Sequence, residues 1–296
     1  MEKVKSKNKT DALGDRIKEN YENITRYKLM RRSYTIIRLD IVAAHTFTKG
    51  FDKPFDDFFI DSMNETAKFL CSKIMGIKCA YTQSDEITLI IVDFEKLESQ
   101  SWFDNNLQKM CSVSAGMASA KFNEEFNKRN PNLNRLAFFD ARVFQVPTRS
   151  EAMNTLLFRQ NDAVRNSISM LAQSLYSHKE LHGKNSDQLQ ELSFQKGYNW
   201  NNLEGGKKRG RLIKKVTYVD GENLDKTHTS RLLELNSSGY DKYIGLPESC
   251  IRKDLITNII SSGKYTVRSK WESVETPNRF TENEFEFLKS IIPNND

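Results

Sequence analysis

Two apolar runs in this chain end on carboxylates. Residues 34–42 read Tyr-Thr-Ile-Ile-Arg-Leu-Asp-Ile-Val, with Asp40 near the end, and a polar segment, Tyr81 to Glu86, separates the apolar runs 77–80 and 87–92. β-Branched apolar runs of this length predict strands, and two of them around a short polar segment predict a hairpin with Asp85 and Glu86 at its tip. If the strand ending at Asp40 neighbours that hairpin, three carboxylates converge at one sheet edge, where they repel each other and need cations. Clustered oxygen donors suit Mg2+, and two such ions can hold the attacking and leaving oxygens of a phosphoryl transfer. Asp40, Asp85 and Glu86 are therefore the candidate catalytic residues. The simpler alternative is that Asp85 and Glu86 only cap a turn.

The elements that must position them follow from periodicity. Over 56–75 the apolar residues Phe59, Met63, Ala67, Leu70 and Ile74 recur every three or four positions, an amphipathic helix with Gly76 at its stop. Met110, Val113, Met117 and Ala120 mark a second helix over 105–127, whose small residues permit close packing on a sheet. Residues 137–146 predict a strand closed by Pro147. Strand, helix, hairpin, helix, strand is a βαββαβ order, which predicts an α+β, polymerase-palm-like domain with an antiparallel sheet and helices on one face. Beyond 150 helical periodicity dominates, clearest over 151–176. A polar connection at 182–187, a short strand at 212–219 and a last helix at 282–292 follow.

The 296 residues suffice for one large domain or two modest ones. Charged residues make up 28% and hydrophobic ones 38%, which fits a soluble globular chain and excludes a disordered one. The longest apolar run, 87–92, is broken by Thr88 and too short to span a bilayer, so no membrane partner is expected. The opening Met1-Glu2-Lys3 lacks the apolar region of a secretory leader, which predicts a cytoplasmic protein. Cys71, Cys79, Cys111 and Cys250 follow no metal-binding spacing and read as free thiols.

The net charge of +6 is unevenly spread. Residues 1–32 hold ten basic and five acidic side chains, and Lys207-Lys208-Arg209-Gly210-Arg211 with Lys214 and Lys215 includes no acid. Such clusters attract polyanions, nucleic acid among them, or form a solvated face. The lysine-rich first dozen residues predict disorder. His178 and His182 stand one helical turn apart, but no third metal ligand is near, and contact with a polyanion or capping suits them better. Trp200, close to the basic run, either stacks on a base or packs in the core.

Taken in order, Ile37-Arg38-Leu39-Asp40, His45-Thr46-Phe47, Lys53-Pro54, Gln83-Ser84-Asp85-Glu86 and Phe158-Arg159-Gln160-Asn161-Asp162 resemble the tRNA(His) guanylyltransferase-like family of 3′–5′ nucleotide polymerases. The likeness runs over about residues 14–210, and Arg165-Asn166-Ser167 with Ser177 to Lys184 is similar to the bacterial-type branch. The resemblance implies a palm in which Asp40 and Asp85, with the Ile41 carbonyl, hold two Mg2+ ions, Glu86 being the adjoining acid. It implies nucleotide and phosphate contacts from Arg38, Val42, Ala43, Ala44, His45, Lys53, Ser84 and Asn166, and tRNA contacts from Arg165, His178, Lys179, Lys207, Lys208 and Arg209. The implied reaction activates a tRNA 5′-monophosphate with ATP or GTP and then adds nucleotides to that end against a template, which repairs truncated tRNA. The family's His-Ile-Asn-Asn element reads Val164-Arg165-Asn166-Ser167 here, so strict tRNA(His) specificity is not implied. On this reading 1–150 is the palm-like catalytic domain with its basic N-terminal segment. Residues 151–296 form a mostly helical region for tRNA binding and oligomerisation, and the implied assembly is a homotetramer, a dimer of dimers.

One segment departs from the family pattern. Where the family has Asp-Gly-[Lys or Arg]-x-Phe-His, this chain has Asp40-Ile41-Val42-Ala43-Ala44-His45. Glycine after the aspartate lets the backbone approach metal and phosphate closely, and successive backbone groups there can cradle a triphosphate. Ile41 narrows that backbone, at a cost on the order of a few kcal/mol if φ must be positive. This predicts well-placed carboxylates with weakened triphosphate binding. The alternative function is therefore a tRNA-binding family member with impaired nucleotide binding and catalysis.

Overall fold

The structure, a computed structural model, describes residues 11–129, 131, 135–221, 265–276 and 288–294. Its elements are α1 (Ala12–Ile17), β1 (Tyr34–Ile41), α2 (Ala44–Phe47), α3 (Asp57–Lys73), β2 (Ile77–Gln83), β3 (Glu86–Ile91), α4 (Leu107–Arg129), β4 (Phe139–Val146), α5 (Arg149–Leu175), α6 (His178–Leu181), α7 (Ser186–Gln195), α8 (Gly205–Arg209), β5 (Arg211–Gly221) and β6 (Tyr265–Glu275). The six strands form one sheet in the order β4-β1-β3-β2-β5-β6, each pair antiparallel.

Local chemistry sets the element ends. Asp56 caps α3 by accepting the Phe59 N–H at 2.8 Å, and Thr148 caps α5 by accepting the Glu151 N–H at 3.2 Å. Gly76 makes the turn from α3 into β2 with φ +83, and a Cβ there would lie 2.4 Å from the Val92 carbonyl oxygen, so only glycine fits.

Alternation along the strands gives the sheet two apolar faces. Ile37, Leu39, Ile87 and Leu89 pack against Met63, Ala67 and Leu70 of α3 and Met110, Ala118 and Phe122 of α4. Tyr34, Ile36, Cys79, Tyr81 and Ile90 pack against Ala152, Met153 and Leu156 of α5 and against Leu288 and Ile292 near the C-terminus. The βαββαβ unit with its two helices on one face is thus as expected. The buried stripe of α4 runs every fourth residue, from Met110 through Ser114, Ala118 and Phe122 to Phe126. Ala120 is exposed, and the position a side chain would occupy at Gly116 is open space.

Three features differ from the expectation. α5 covers the opposite face of the same sheet. Chain beyond 150 also lengthens that sheet by two strands of 11 residues each, so position 150 marks no break in the packing. And β2 and β3 run further than expected, to Gln83 and from Glu86, which leaves Ser84 and Asp85 alone as the turn. Of the last helix only a turn at 288–291 is described. The lysine-rich opening, most of the region after β5 and Cys250 lie outside the described residues. Among the described residues Cys71 and Cys79 are buried free thiols, and burial pushes Cys79 up to about 12. No described helix is long and apolar enough to cross a membrane.

Candidate active site

The strand register brings the expected carboxylates together. Because Ile37, Leu39 and Ile41 face α3 and α4, Arg38 and Asp40 face the α5 side. Asp40 pairs with Glu86 across β1 and β3, and Glu86 with Gln83 across the hairpin, so all three share that side. At the turn Ser84 adopts φ 48, and the Asp85 carbonyl accepts the Ile41 N–H at 3.2 Å. The carboxyls of Asp40 and Asp85 lie close together; burial first, then the neighbouring Asp85 carboxyl, raise Asp40 to about 6.

Glu86 has a different part from the one expected. It lies in β3 rather than at the tip, is 4% exposed, and is held from α5. Arg159 donates from Nε to one carboxylate oxygen at 2.7 Å and from Nη2 to the other at 2.6 Å. The Thr88 hydroxyl donates to it at 3.2 Å, and the Arg38 Nε stands 3.7 Å away. Burial pushes the Glu86 carboxyl up, while the Arg159 bonds and both guanidinium charges oppose the rise. Arg159 also donates to Asp162 at 2.8 Å, whose other oxygen accepts from Arg165 at 3.0 Å. Two carboxylates thus face each other, and the third anchors the hairpin to α5.

Ile41 also differs from expectation. It ends β1 with its side chain 4% exposed in the α3/α4 core. The left-handed residue is Ala43, at φ 55 and ψ 43, just before α2. The condition for strain at Ile41 is therefore unmet, and the reading of an impaired family member loses that support. Val42 is exposed at its side chain, but its N–H donates to the Phe138 carbonyl at 2.8 Å, so with the Ile41 N–H it is engaged and unavailable to a phosphate. α2 is pinned by Phe47, whose ring lies 5.8 Å from Phe122 and 5.4 Å from Phe126. This anchors Ala44 and His45 beside the hairpin turn.

A cavity of about 430 Å3 opens next to Asp85. Ala44, His45, Lys53, Ser84, Asp85, Asn166 and Lys207 line it, as do Phe55, Phe59 and Met63, the amides of Asn64 and Gln83, and Arg211. Gly210 also borders it, at φ 72, where a Cβ would come within 2.5 Å of the Thr82 carbonyl oxygen and the Tyr81 hydroxyl. Arg38, Asp40 and Glu86 stand behind Asp85 and do not line the cavity.

The basic residues separate into two groups. Arg165 is largely exposed beyond its bond to Asp162, and His178 and Lys179 are exposed on α6, with the His178 and His182 rings 6.1 Å apart. Lys207, Lys208 and Arg209 form the last turn of α8, and each is engaged within the chain. Lys207 binds Asp57 at 2.7 Å. Lys208 and Arg209 lie over the Trp200 ring, and Lys208 also donates to the Asn201 carbonyl at 2.7 Å. Trp200 is a core residue, its indole N–H donating to Ser167 at 3.0 Å.

Arg159, Gln83, Asn64 and Gly210 had no assigned part in the sequence. Arg159 carried a usable signal: it sits three residues after Leu156 and four before Ala163, on the buried stripe of α5, where a charge needs a partner. Gln83, Asn64 and Gly210 carry no local signal, since their parts depend on residues far along the chain.

The geometry can be set beside known proteins. A family model described as tRNAHis guanylyltransferase matches residues 14–147. A bacterial tRNA(His) guanylyltransferase (Thg1)-like protein in complex with ATP superposes with a TM-score of 0.72 at 35% identity, covering 95% of this chain and 100% of that one. The chain belongs to the tRNA(His) guanylyltransferase family. A bacterial Thg1-like protein in complex with GTP matches with a TM-score of 0.67 at 34% identity, over 96% of this chain and 100% of that one. Among characterised sequences, the tRNA(His) guanylyltransferase of Debaryomyces hansenii is 26% identical over 238 residues, 73% of this chain and 88% of its own length. Enzymes of this family are nucleotidyltransferases that act on tRNA, and the mixed α/β sheet described above is the family's fold.

Proposed function

We propose that this protein is a Mg2+-dependent, template-directed 3′–5′ nucleotidyltransferase that adds nucleotides to tRNA 5′ ends, rebuilding truncated ends after ATP or GTP activates a 5′-monophosphate. One observation carries the reading: Asp85, with the Asp40 carboxyl close behind it, borders a cavity that Lys53, Arg211 and the carboxamides of Asn64 and Gln83 also line. The ATP and GTP complexes of bacterial Thg1-like protein support the cavity as a nucleoside triphosphate site.

The donors fit Mg2+. Among the described residues no three His, Cys, Asp or Glu side chains group where they could hold a metal ion together. Mg2+ does not need such a group, since it keeps waters and takes one or two carboxylates plus substrate phosphates. Asp40 and Asp85 would hold the two ions, with the Ile41 carbonyl beside them. Bound Mg2+ supplies neutralisation of phosphate charge and a more acidic hydroxyl.

The chain's own groups prepare the reaction. Lys53 and Arg211 attract the triphosphate, the apolar wall of Phe55, Phe59 and Met63 takes the base, and the Arg159 clamp on Glu86 holds the hairpin in register. The 3′-hydroxyl of the incoming nucleotide attacks the activated 5′-phosphorus, a new P–O bond forms, and the bond to the activating group breaks. Exposed Arg165, His178 and Lys179 would meet the tRNA backbone, and homotetramer assembly and a cytoplasmic location complete the proposal. The test is incubation with a labelled 5′-truncated tRNA, ATP, GTP and Mg2+. Extension at the 5′ end that disappears in Asp85→Ala is expected; RNA binding without extension by the wild type would overturn the reading.

A further inference from the structure

The cavity beside Asp85 holds an acceptor with nothing to accept. Gln83 is 7% exposed and lines the cavity, and its Oε1 has no hydrogen-bond partner. Buried carboxamide oxygens are nearly always bonded, and an unbonded one is left without compensation for the water it lost. The neighbouring polar groups do not help it. Thr82 Oγ1 donates to Asn64 at 2.9 Å, and Thr88 Oγ1 and the Arg159 guanidinium are turned to Glu86. Gln83 precedes the Ser84-Asp85 turn and is paired with Glu86, so its side chain belongs to the part of the cavity within two residues of Asp85.

We propose that Gln83 reads a sugar hydroxyl of the bound nucleoside triphosphate and so sets the site against the analogue that lacks that hydroxyl. This rests on the cavity being the triphosphate site. Phosphates cannot satisfy Gln83 Oε1, because ionised phosphate oxygens only accept. A base amino group can donate, but with phosphates at Asp85 the sugar is the part of a nucleotide adjoining them, and the base lies farther out along the apolar wall. A hydroxyl also satisfies a carboxamide through either end, as donor to its oxygen or acceptor from its nitrogen, whereas an amino group serves the oxygen alone.

The test measures binding of ATP, 2′-deoxy-ATP and 3′-deoxy-ATP by calorimetry to the full chain, as wild type, Gln83→Met and Gln83→Leu. The wild type is expected to hold ATP about tenfold more tightly than one of the deoxy analogues, the size of one neutral hydrogen bond. Both variants should lose that preference while keeping the wild-type affinity for the same analogue, which also reports that they fold. Equal wild-type affinities for all three nucleotides, or a preference unchanged in both variants, would overturn the inference and leave the triphosphate site standing. Wild type that binds none of the three would remove the site itself, and the inference with it.

Discussion

Arg159→Met isolates the ion pair that ties the hairpin to α5. It removes bonds of 2.7 and 2.6 Å from a carboxylate that is 4% exposed. Stripping one partner from a buried pair costs about 3–5 kcal/mol. Two features favour the lower end here. Arg38 remains 3.7 Å from Glu86, and Glu86 can take up a proton instead of staying charged. The expected loss at pH 7.5 is therefore about 3 kcal/mol, set against a typical total stability of about 5–15 kcal/mol. It should appear in urea titrations as a lower midpoint at unchanged slope. The pH dependence has a definite sign. Without Arg159 the folded-state pKa of Glu86 rises further above its unfolded value, so the penalty applies above that pKa and shrinks as pH falls toward the usual carboxylate range. Replacing both partners, as Arg159→Met with Glu86→Leu, removes the stranded charge and should return stability to within about 1 kcal/mol of wild type. A double variant no more stable than Arg159→Met, or a single loss below about 1 kcal/mol, would refute the anchoring role.

Other expectations follow from the same geometry. Asp40 has a raised folded pKa of about 6, so its charge destabilises the metal-free protein above that pH and not below the unfolded value near 3.8. Asp40→Asn should accordingly melt higher than wild type at pH 7.5, with the gap closing by pH 4, and added Mg2+ should raise the melting temperature of wild type much more than that of the variant. Gly210→Ala forces a Cβ to within 2.5 Å of Thr82 and Tyr81 at φ 72, and should cost about 1–3 kcal/mol in urea and weaken ATP binding in calorimetry. Ile41→Gly empties a buried extended position; it should cost about 3 kcal/mol or more of stability without tightening ATP binding, whereas a clear gain in affinity would restore the view that Ile41 obstructs the site.

Much of the site was legible because its signals are local. Alternation and turn composition mark β1, β2 and β3 whatever surrounds them, and register then brings Asp40 beside the hairpin. The three-to-four spacing of Phe59, Met63, Ala67 and Leu70 likewise marks α3 without knowledge of the sheet it covers. The place of Glu86 in β3 was missed for the same reason: next to Asp85 in sequence it looks like a second tip carboxylate. Its partner, Arg159, lies 73 positions away, and no local pattern reports that distance.

By itself the sequence determined the βαββαβ order, the pair of carboxylates and the family. Only the tertiary structure decided which carboxylate is a ligand candidate and which an anchor, that Ile41 belongs to the core and Ala43 takes the left-handed turn, and that the chain after α8 adds β5 and β6 to the same sheet. The physical reason is common to all of these. Periodicity and turn preference act over a few residues, but the cost of burying a charge, an amide or a strand edge is met only by whatever group the completed fold brings against it.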